Sequence, residues 1–313
     1  MGFDWCDVAA ILNVEDNYIG TDGIRDIENL ARIKGLVAHS ARKLLVLNED
    51  VPRCVAMAKE AEVERICYVT TAPDHNTVAK SHIASGGMAV TLRPEAGGPL
   101  IEFHNGGEIT HVLPAFDVAS TIAGKAMHNV HNAMFAVAVA HGLGSSYAHI
   151  RDGLIGLTGS HTDTPGRLDF FTGFAFRVIL DYAHNVQEFR ALSAVIKQLE
   201  CLGRRIIALT SPGNRTDPHI DKLAAIAAQY SYDHYICYRR DDLRGRGPSE
   251  VPERLRDSLL AAGIAAQNIS VVPVEEDTVN AALDMAGTGD LVTLLYTDHD
   301  RAWDMMKARL AGE

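Results

Sequence analysis

The sequence has few of the features that mark zinc, disulfide-bonded, secreted or membrane proteins. Its five cysteines show no C-x-x-C spacing, so neither a zinc site nor a disulfide framework is predicted. No basic segment followed by a long apolar core opens the chain, and no run of eighteen apolar residues occurs in it. We therefore expect reduced thiols, a cytoplasmic location and no membrane partner.

Positive charge is also scarce. The 313 residues carry a formal net charge of −11, which argues against a nucleic-acid partner, because phosphate backbones are bound by clustered lysines and arginines. Two short basic stretches, Arg239-Arg240 and Arg244 to Arg246, are interrupted by acids. They predict a solvated loop or a local anion site.

Hydrophobic residues make up 47% of the chain and charged residues 22%, which is enough to form real cores. On the usual size of domains the length predicts about two. Apolar runs alternate with amphipathic segments, which indicates parallel sheets covered by helices. The predicted strands are 8–14, 44–48, 66–70, 174–180, 206–209, 233–238, 269–274 and 290–296; the predicted helices include 23–37, 218–229, 252–262 and 278–286, with one or two more in 117–142.

Residues 78–114 have a different pattern from the rest of the chain. Glycine pairs at Gly86-Gly87, Gly97-Gly98 and Gly106-Gly107 separate short alternating runs. This spacing is typical of β-hairpins, so we expect an antiparallel insertion packed beside the parallel sheet.

The stretch from Pro165 to Asn185 predicts a site. It contains a Pro-Gly-Arg turn, a buried strand and a polar cluster, Asp181 to Asn185, ahead of a helix that carries Phe189, Leu192 and Ile196. Open α/β sheets bind ligands at the carboxyl ends of their strands.

Several motifs resemble those of Mur-type ligases, which join amino acids with ATP. They are P-G-R-L-D at 165–169, D-Y-A-H-N at 181–185 and H-N-V-H-N at 128–132. Three later stretches resemble the C-terminal part of the cyanophycin synthetases, ligases that build an aspartate backbone carrying arginine side groups: SPGNRTDPHIDKLAAIAAQYSYDHYI, RRDDLRGRGPSEV and GDLVTLLYTDHDRAW.

The resemblance implies an α/β protein of two parts. Residues 1–164 would form an incomplete Mur-ligase central domain with a β-hairpin insertion. Residues 165–313 would form a Rossmann-like, mainly parallel C-terminal domain. The implied cofactors are ATP and Mg²⁺, and the implied substrates are amino acids or peptides, aspartate and arginine among them.

The resemblance also assigns nucleotide-binding residues. Asn129 and Asn132 would lie against the nucleotide, Arg167 would contact ribose or a phosphate, and Asp181 would orient ribose or a water, with His184 beside it. Two alternatives remain open from the residues themselves. The asparagines can be polar caps at a helix N-terminus, and Arg167 and Asp181 can be an ion pair between domains.

For three residues near the amino end, the resemblance implies roles in metal binding and catalysis. Asp16 and Asn17 follow the first predicted strand, where the family has Asp-His and the histidine helps to hold magnesium. Lys34 matches the position of a carbamylated lysine that bridges magnesium ions in several Mur-type ligases. The alternatives are an Asx turn after the strand and a solvated lysine.

The phosphate-binding motif of the family, G-x-x-x-x-G-K-[ST], does not occur in these 313 residues. Two functions are therefore compatible with the sequence. The chain is the carboxyl half of an ATP-dependent amide ligase, or it is a catalytically incompetent relative that binds a nucleotide or a partner. Without the P-loop strand, the strand at 8–14 lacks a neighbour, so we expect a homo-oligomer or a complementing subunit.

Overall fold

A computed structural model describes residues 4–16, 19–20, 23–72, 77–230 and 232–312. The chain divides into two compact units, Met1–Thr158 and Gly159–Glu313. Each unit is built on one six-stranded sheet. None of the helices among the described residues is long and apolar enough to cross a membrane.

The sheet of the first unit has its strands in chain order. They are β1 (Cys6–Ile11), β2 (Ala41–Asn48), β3 (Arg65–Val69), β4 (Met88–Arg93), β5 (Leu100–Asn105) and β6 (Glu108–Pro114). The first four are parallel, and β5 and β6 are antiparallel to their neighbours. In β2 every residue of the run Leu44–Leu47 is fully buried, which is the pattern of a parallel strand covered on both faces.

Among the described residues of this unit, five helices cover the sheet: α1 (Ile27–Ser40), α2 (Pro52–Met57), α3 (Thr77–Ala84), α4 (Met127–Gly142) and α5 (Tyr147–Gly156). Asp26 starts α1 by accepting the N–H of Asn29 at 2.7 Å. Leu30 and Ala38 of α1 belong to the core on one face, and Val130, Met134 and Val137 of α4 belong to the core on the other.

The antiparallel hairpins β4–β5 and β5–β6, which turn at Gly97-Gly98 and Gly106-Gly107, confirm part of the prediction for residues 78–114. Two parts of it were wrong, because β4 to β6 extend the parallel sheet itself and residues 77–84 are helical. The pair Gly86-Gly87 ends α3 instead of turning a hairpin. Their N–H groups donate to the carbonyls of Ile83 and His82 at 2.9 and 2.8 Å, and Gly86 has a φ of +85°.

The sheet of the second unit has the order β11-β10-β9-β12-β8-β7. Its strands are β7 (Asp169–Phe171), β8 (Arg177–Asp181), β9 (Arg205–Leu209), β10 (His234–Tyr238), β11 (Ile269–Val272) and β12 (Leu291–Leu295). All neighbours are parallel except β7, which is antiparallel to β8. Since β12 lies between β8 and β9, the direction of winding reverses beside β8.

The helices of the second unit are α6 (Val186–Gln198), α7 (Asp217–Gln229), α8 (Glu250–Ala261), α9 (Asp277–Met285) and α10 (His299–Gly312). The predicted alternation of strands and helices is confirmed from 206 to 296. Strand β7 and helix α10 were not predicted from the sequence, and β8 begins at Arg177, three residues later than predicted. Phe174 and Phe176 precede that strand and stack on each other, with ring centroids 4.9 Å apart.

Candidate functional site at the carboxyl end of β8

The predicted polar cluster lies where the second sheet reverses its winding. Strand β8 ends at Asp181, and β12 separates it from β9. In doubly wound sheets the crevice at such a reversal is the usual place for a ligand. Because Arg167, Asp181 and His184 all belong to the second unit, the alternative of an ion pair between domains is wrong.

Asp181 is 9% exposed, and the backbone holds both of its oxygens. Oδ2 accepts the N–H of Leu168 at 2.8 Å, and Oδ1 accepts that of Ala183 at 2.7 Å. Burial raises the pKa of Asp181 to about 6, although the two hydrogen bonds and the charge of Arg167 oppose the shift. The carboxyl group thus ties the turn after Arg167 to the end of β8.

This pKa gives a testable dependence of stability on pH. Because the folded-state pKa of about 6 exceeds the ordinary value of 3.8, the folded chain holds a proton that the unfolded chain has lost. The stability that Asp181 contributes to the folded chain is fully present below about pH 4, and it is lost as the pH rises through 6. The raised pKa of Asp181 therefore makes the free energy of unfolding ~3 kcal/mol smaller above pH 6 than below pH 4.

Urea unfolding of the parent chain and of Asp181→Asn between pH 4 and 7 measures this contribution. We expect the free energy of unfolding of the parent to fall relative to that of the variant as the pH rises. Parallel pH profiles for the two proteins would show that the pKa of Asp181 is not raised.

Arg167 lies beside this carboxyl group without pairing to it. Its guanidinium lies over the ring of Tyr182, 4.9 Å from the centroid, and no carboxylate in the described part of the chain forms an ion pair with it. Arg167 is exposed. A stacked guanidinium of this kind keeps its N–H groups available for a phosphate or a hydroxyl.

Gly166 brings the Arg167 turn close to the start of α10. Its φ is +65°, and a Cβ atom there would lie 1.9 Å from the ring of His299. The rings of His299 and Tyr182 meet edge to face at 5.5 Å. Burial lowers the pKa of His299, and the nearby charge of Arg167 adds to the shift. His299 was not predicted as a site residue, although it lies in the stretch GDLVTLLYTDHDRAW.

His184 is fixed by the first turn of α6. Its Nδ1 lies 3.2 Å from Oε2 of Glu188, which also accepts the backbone N–H of His184 at 3.1 Å. Burial alone would raise the pKa of Glu188, but the hydrogen bonds from His184 outweigh it and the pKa is lowered. Asn185 is the N-cap of α6, because its Oδ1 accepts the N–H groups of Gln187 and Glu188.

A second histidine cluster anchors the start of this unit. His161 stacks on Trp303 with the centroids 4.1 Å apart and an interplanar angle of 3°. Its Nδ1 is 2.6 Å from Oδ2 of Asp169, which is fully buried, and its Nε2 is 3.2 Å from Asp300. No sequence signal linked these residues, because they meet only after α10 has packed against β7.

In the first unit Lys34 of α1 reaches the end of β1. Its ammonium donates to the backbone carbonyl and the side-chain oxygen of Asn13, each at 2.9 Å. Burial lowers the pKa of Lys34, and the charges of Glu15 and Cys54 oppose the shift. The alternative of a fully solvated lysine is therefore wrong.

Acids and hydroxyls follow the neighbouring strands of the first unit. After β2, Asp50 accepts hydrogen bonds from the hydroxyls of Thr70 and Thr71 at 2.6 and 2.9 Å. Glu49 is 7% exposed and accepts the N–H of Ala79, and burial raises its pKa. The carboxyl edge of this sheet thus collects polar groups, as the carboxyl edge of a parallel sheet should.

The implied magnesium ligands are not assembled by the described residues. Asn17 lies outside them, and Asp16 follows β1 at the same edge as Lys34. Across the described ranges, no three His, Cys, Asp or Glu side chains come together as a metal site. Since magnesium is usually held by one or two carboxylates together with water and substrate phosphates, Asp16 and Asn17 stay a prediction.

Asn129 and Asn132 begin α4, and a hydrogen bond links them. Nδ2 of Asn129 donates to the carbonyl of Ser120 at 2.7 Å, and Nδ2 of Asn132 donates to Oδ1 of Asn129 at 3.3 Å. Neither caps the helix, whose N-cap is Ala126. Burial lowers the pKa of His131 against the opposing charge of Asp50, which places this part of α4 near the end of β2.

Comparisons with known proteins agree with this geometry. Residues 166–295 match the family model described as the Mur ligase, glutamate ligase domain. Cyanophycin synthetase of Synechocystis sp. is 31% identical over 315 residues, and the alignment covers 99% of this chain and 34% of the relative. For the enzyme of Trichormus variabilis the identity is 32% over 323 residues, with the same coverage. The chain thus spans about a third of the length of these curated relatives.

Solved structures show the same fold. Escherichia coli FolC, in complex with DHPP and ADP, has a TM-score of 0.66 at 19% identity, covering 98% of this chain and 62% of its own. The UDP-N-acetylmuramoylalanyl-D-glutamyl-2,6-diaminopimelate–D-alanyl-D-alanyl ligase of Acinetobacter baumannii has a TM-score of 0.61 at 17% identity, with 98% and 59% covered. Residues 166–295 therefore match the Mur ligase C-terminal domain, and the chain as a whole resembles the C-terminal part of cyanophycin synthetase.

Proposed function

We propose that the chain is the carboxyl part of a Mur-type, ATP-dependent amide ligase similar to cyanophycin synthetase, and that its own residues contact the nucleotide. The observation that carries the proposal is Arg167, an exposed guanidinium stacked on Tyr182 at the reversal of the second sheet. Support comes from the family match of residues 166–295 and from FolC, a protein of the same fold that was solved with ADP.

Each residue at the end of β8 has a distinct part in this proposal. Arg167 binds a phosphate or ribose oxygen with its open N–H groups. Asp181 already accepts two backbone N–H groups, so it positions Arg167 and offers only its remaining lone pairs to ribose or water. His184, held by Glu188, lines the same turn.

Asn129 and Asn132 form the second half of the proposed nucleotide site. The Asn129 amide is committed to Ser120, while the side-chain oxygen of Asn132, an exposed residue, accepts no hydrogen bond within the described structure. We therefore assign the direct contact with the nucleotide to Asn132. Asn129 is assigned the role of positioning Asn132.

Lys34 is the proposed carbamylation site. Only a neutral amine reacts with carbon dioxide, so the lowered pKa of Lys34 favours this modification. The described residues form no cluster of three His, Cys, Asp or Glu side chains, so no catalytic step is assigned to a magnesium ion. By similarity to cyanophycin synthetase, the proposed amino-acid substrates are aspartate and arginine.

Calorimetry with ADP tests the nucleotide site in the chain as it stands. We expect a dissociation constant on the order of 0.1 to 1 mM, about −5 kcal/mol, since no P-loop is available for the phosphates. Arg167→Met should weaken binding about tenfold or more, because a hydrogen bond to a charged group is lost. Arg190→Met, on α6, is the control and should bind like the parent. Equal affinities in the parent and Arg167→Met would remove Arg167 from the site.

A second function rests on the absence of G-x-x-x-x-G-K-[ST] from the 313 residues. In that case the chain is a relative without ligase activity that binds a nucleotide or a partner protein. The reading frame directly upstream discriminates between the two functions. A P-loop segment encoded there in frame favours the ligase.

A further inference from the structure

The loops that follow β9 and β10 enclose a small cavity away from the end of β8. Ser211, Gly213, Arg240, Leu243 and Arg246 are among the residues that line it. The cavity holds about 10 Å³, enough for roughly one water-sized group. It belongs wholly to the second unit.

The two loops that form the cavity are tightly joined. A Cβ atom on Gly213 would lie 2.0 Å from the carbonyl oxygen of Leu243, so the backbones meet with no room for a side chain. Arg246 ties the loops further, since Nε donates to the carbonyl of Gly213 at 2.9 Å and Nη2 to that of Arg215 at 2.7 Å. The cavity is therefore a built feature and not a gap between independent loops.

Arg240 is the unusual residue of this cavity. Its side chain is 9% exposed, yet within the described residues its guanidinium makes no hydrogen bond and no ion pair. Ser211 is 1% exposed, and in the same part of the structure its hydroxyl has no partner. Nε of Arg240 and the hydroxyl of Ser211 are thus two buried donors without a hydrogen bond beside one cavity, which indicates a missing acceptor.

The acids around the cavity are already engaged by other groups. Asp241 pairs with Arg239 at 3.0 Å, and Asp242 pairs with Arg244 at 2.7 Å. The carboxylate of Glu275, a buried residue, accepts the backbone N–H of Asp241 at 2.5 Å. Arg246 pairs with Asp217 at 2.7 Å. The charge of Arg240 opposes the rise that burial causes in the pKa of Glu275, but within the described residues no acid forms an ion pair or a hydrogen bond with the Arg240 guanidinium.

We propose that Arg240 and Ser211 bind a small oxyanion, a carboxylate or a phosphate, with one of its oxygens in the cavity. The guanidinium supplies charge-assisted N–H donors and the serine supplies an O–H donor. The volume admits a single oxygen, so the rest of the ligand lies outside, toward solvent. This site is separate from the Arg167 cluster and does not depend on the proposed function.

Thermal unfolding of the full chain in acetate and in phosphate, with chloride at the same ionic strength as the reference, tests the proposal. We expect acetate, phosphate or both to raise the melting temperature of the parent, and the anion that does so identifies the ligand class. Arg240→Met should weaken the anion affinity drawn from the melting series by about 10- to 100-fold. Arg240→Lys should restore part of it. Arg256→Met, an arginine paired with its neighbour Asp257, is the control for general salt effects.

The behaviour of Arg240→Met in chloride provides an independent readout. If Arg240 lacks a partner, its removal leaves the melting temperature in chloride equal to or above that of the parent. Ser211→Ala should weaken anion binding by several-fold while keeping the fold. Arg256→Met should keep the anion response of the parent. The proposal is overturned if neither acetate nor phosphate stabilises the parent more than it stabilises Arg240→Met. A large loss of stability of Arg240→Met in chloride would equally overturn it.

Discussion

The 313-residue chain, incubated with ATP, magnesium, aspartate, arginine and a primer peptide, is expected to release no ADP in an amino-acid-dependent reaction. Transfer of a phosphoryl group to a carboxylate depends on groups that hold the β- and γ-phosphates and neutralise their developing charge. The chain has no P-loop sequence, and its described residues assemble no magnesium site. Loss of a single such donor costs about 10²- to 10³-fold in rate, and here several are missing.

A coupled assay of ADP release measures this, with complete cyanophycin synthetase of Synechocystis sp. as the positive control. We expect a rate at least ~10³-fold below that of the control. Release that rises on addition of the amino acids and disappears in Arg167→Met would show that the chain carries a phosphate site of its own.

Self-association is the second large expected effect. Within the described residues β1 pairs only with β2, and Cys6–Ile11 contain no lysine or proline that would protect an edge strand. Nearby side chains are exposed as well, with Ile33 and Leu36 of α1 at 44% and 47%. Just under half of each side chain is exposed, so burying the remainder contributes on the order of 1 kcal/mol per side chain, and we expect a dimer or a larger species.

Light scattering on the purified chain, over a range of concentrations, gives the mass to compare with the 33.9 kDa of one copy. The double variant Ile33→Glu with Leu36→Glu should return the protein to a single copy. Leu202→Glu, at a side chain that is 86% exposed in the second unit, is the matched control and should associate like the parent. A monomeric parent at every concentration would contradict the prediction.

The sequence predicted the elements whose pattern is local and strong. Apolar runs such as Leu44–Leu47 could only be buried strands. Helix α10 was not predicted, because few of its side chains are buried and an apolar period is therefore not visible; the buried residues are Ala302 and Met306. Strand β7 has three residues, too few to show a period. The pair Gly86-Gly87 was ambiguous, because glycine with positive φ ends helices as readily as it turns hairpins.

The candidate sites were predictable only in part for a different reason. Motif resemblance selected Arg167, Asp181 and His184, which do lie together, but it could not tell that Asp181 is occupied by backbone N–H groups. Contacts between distant residues, such as Lys34 with Asn13, leave no trace in a local pattern. The sequence showed that Arg240 stands in a basic stretch, but only the packing shows that it has no partner.

The most direct test of the ligase assignment is a chimera. This chain would replace the matching C-terminal part of Synechocystis cyanophycin synthetase, so that the relative supplies the P-loop segment. We predict ADP release that depends on the added amino acids, is abolished when the P-loop lysine of the relative is replaced, and falls with Arg167→Met. A chimera that melts cooperatively but releases no more ADP than its P-loop variant would contradict the assignment.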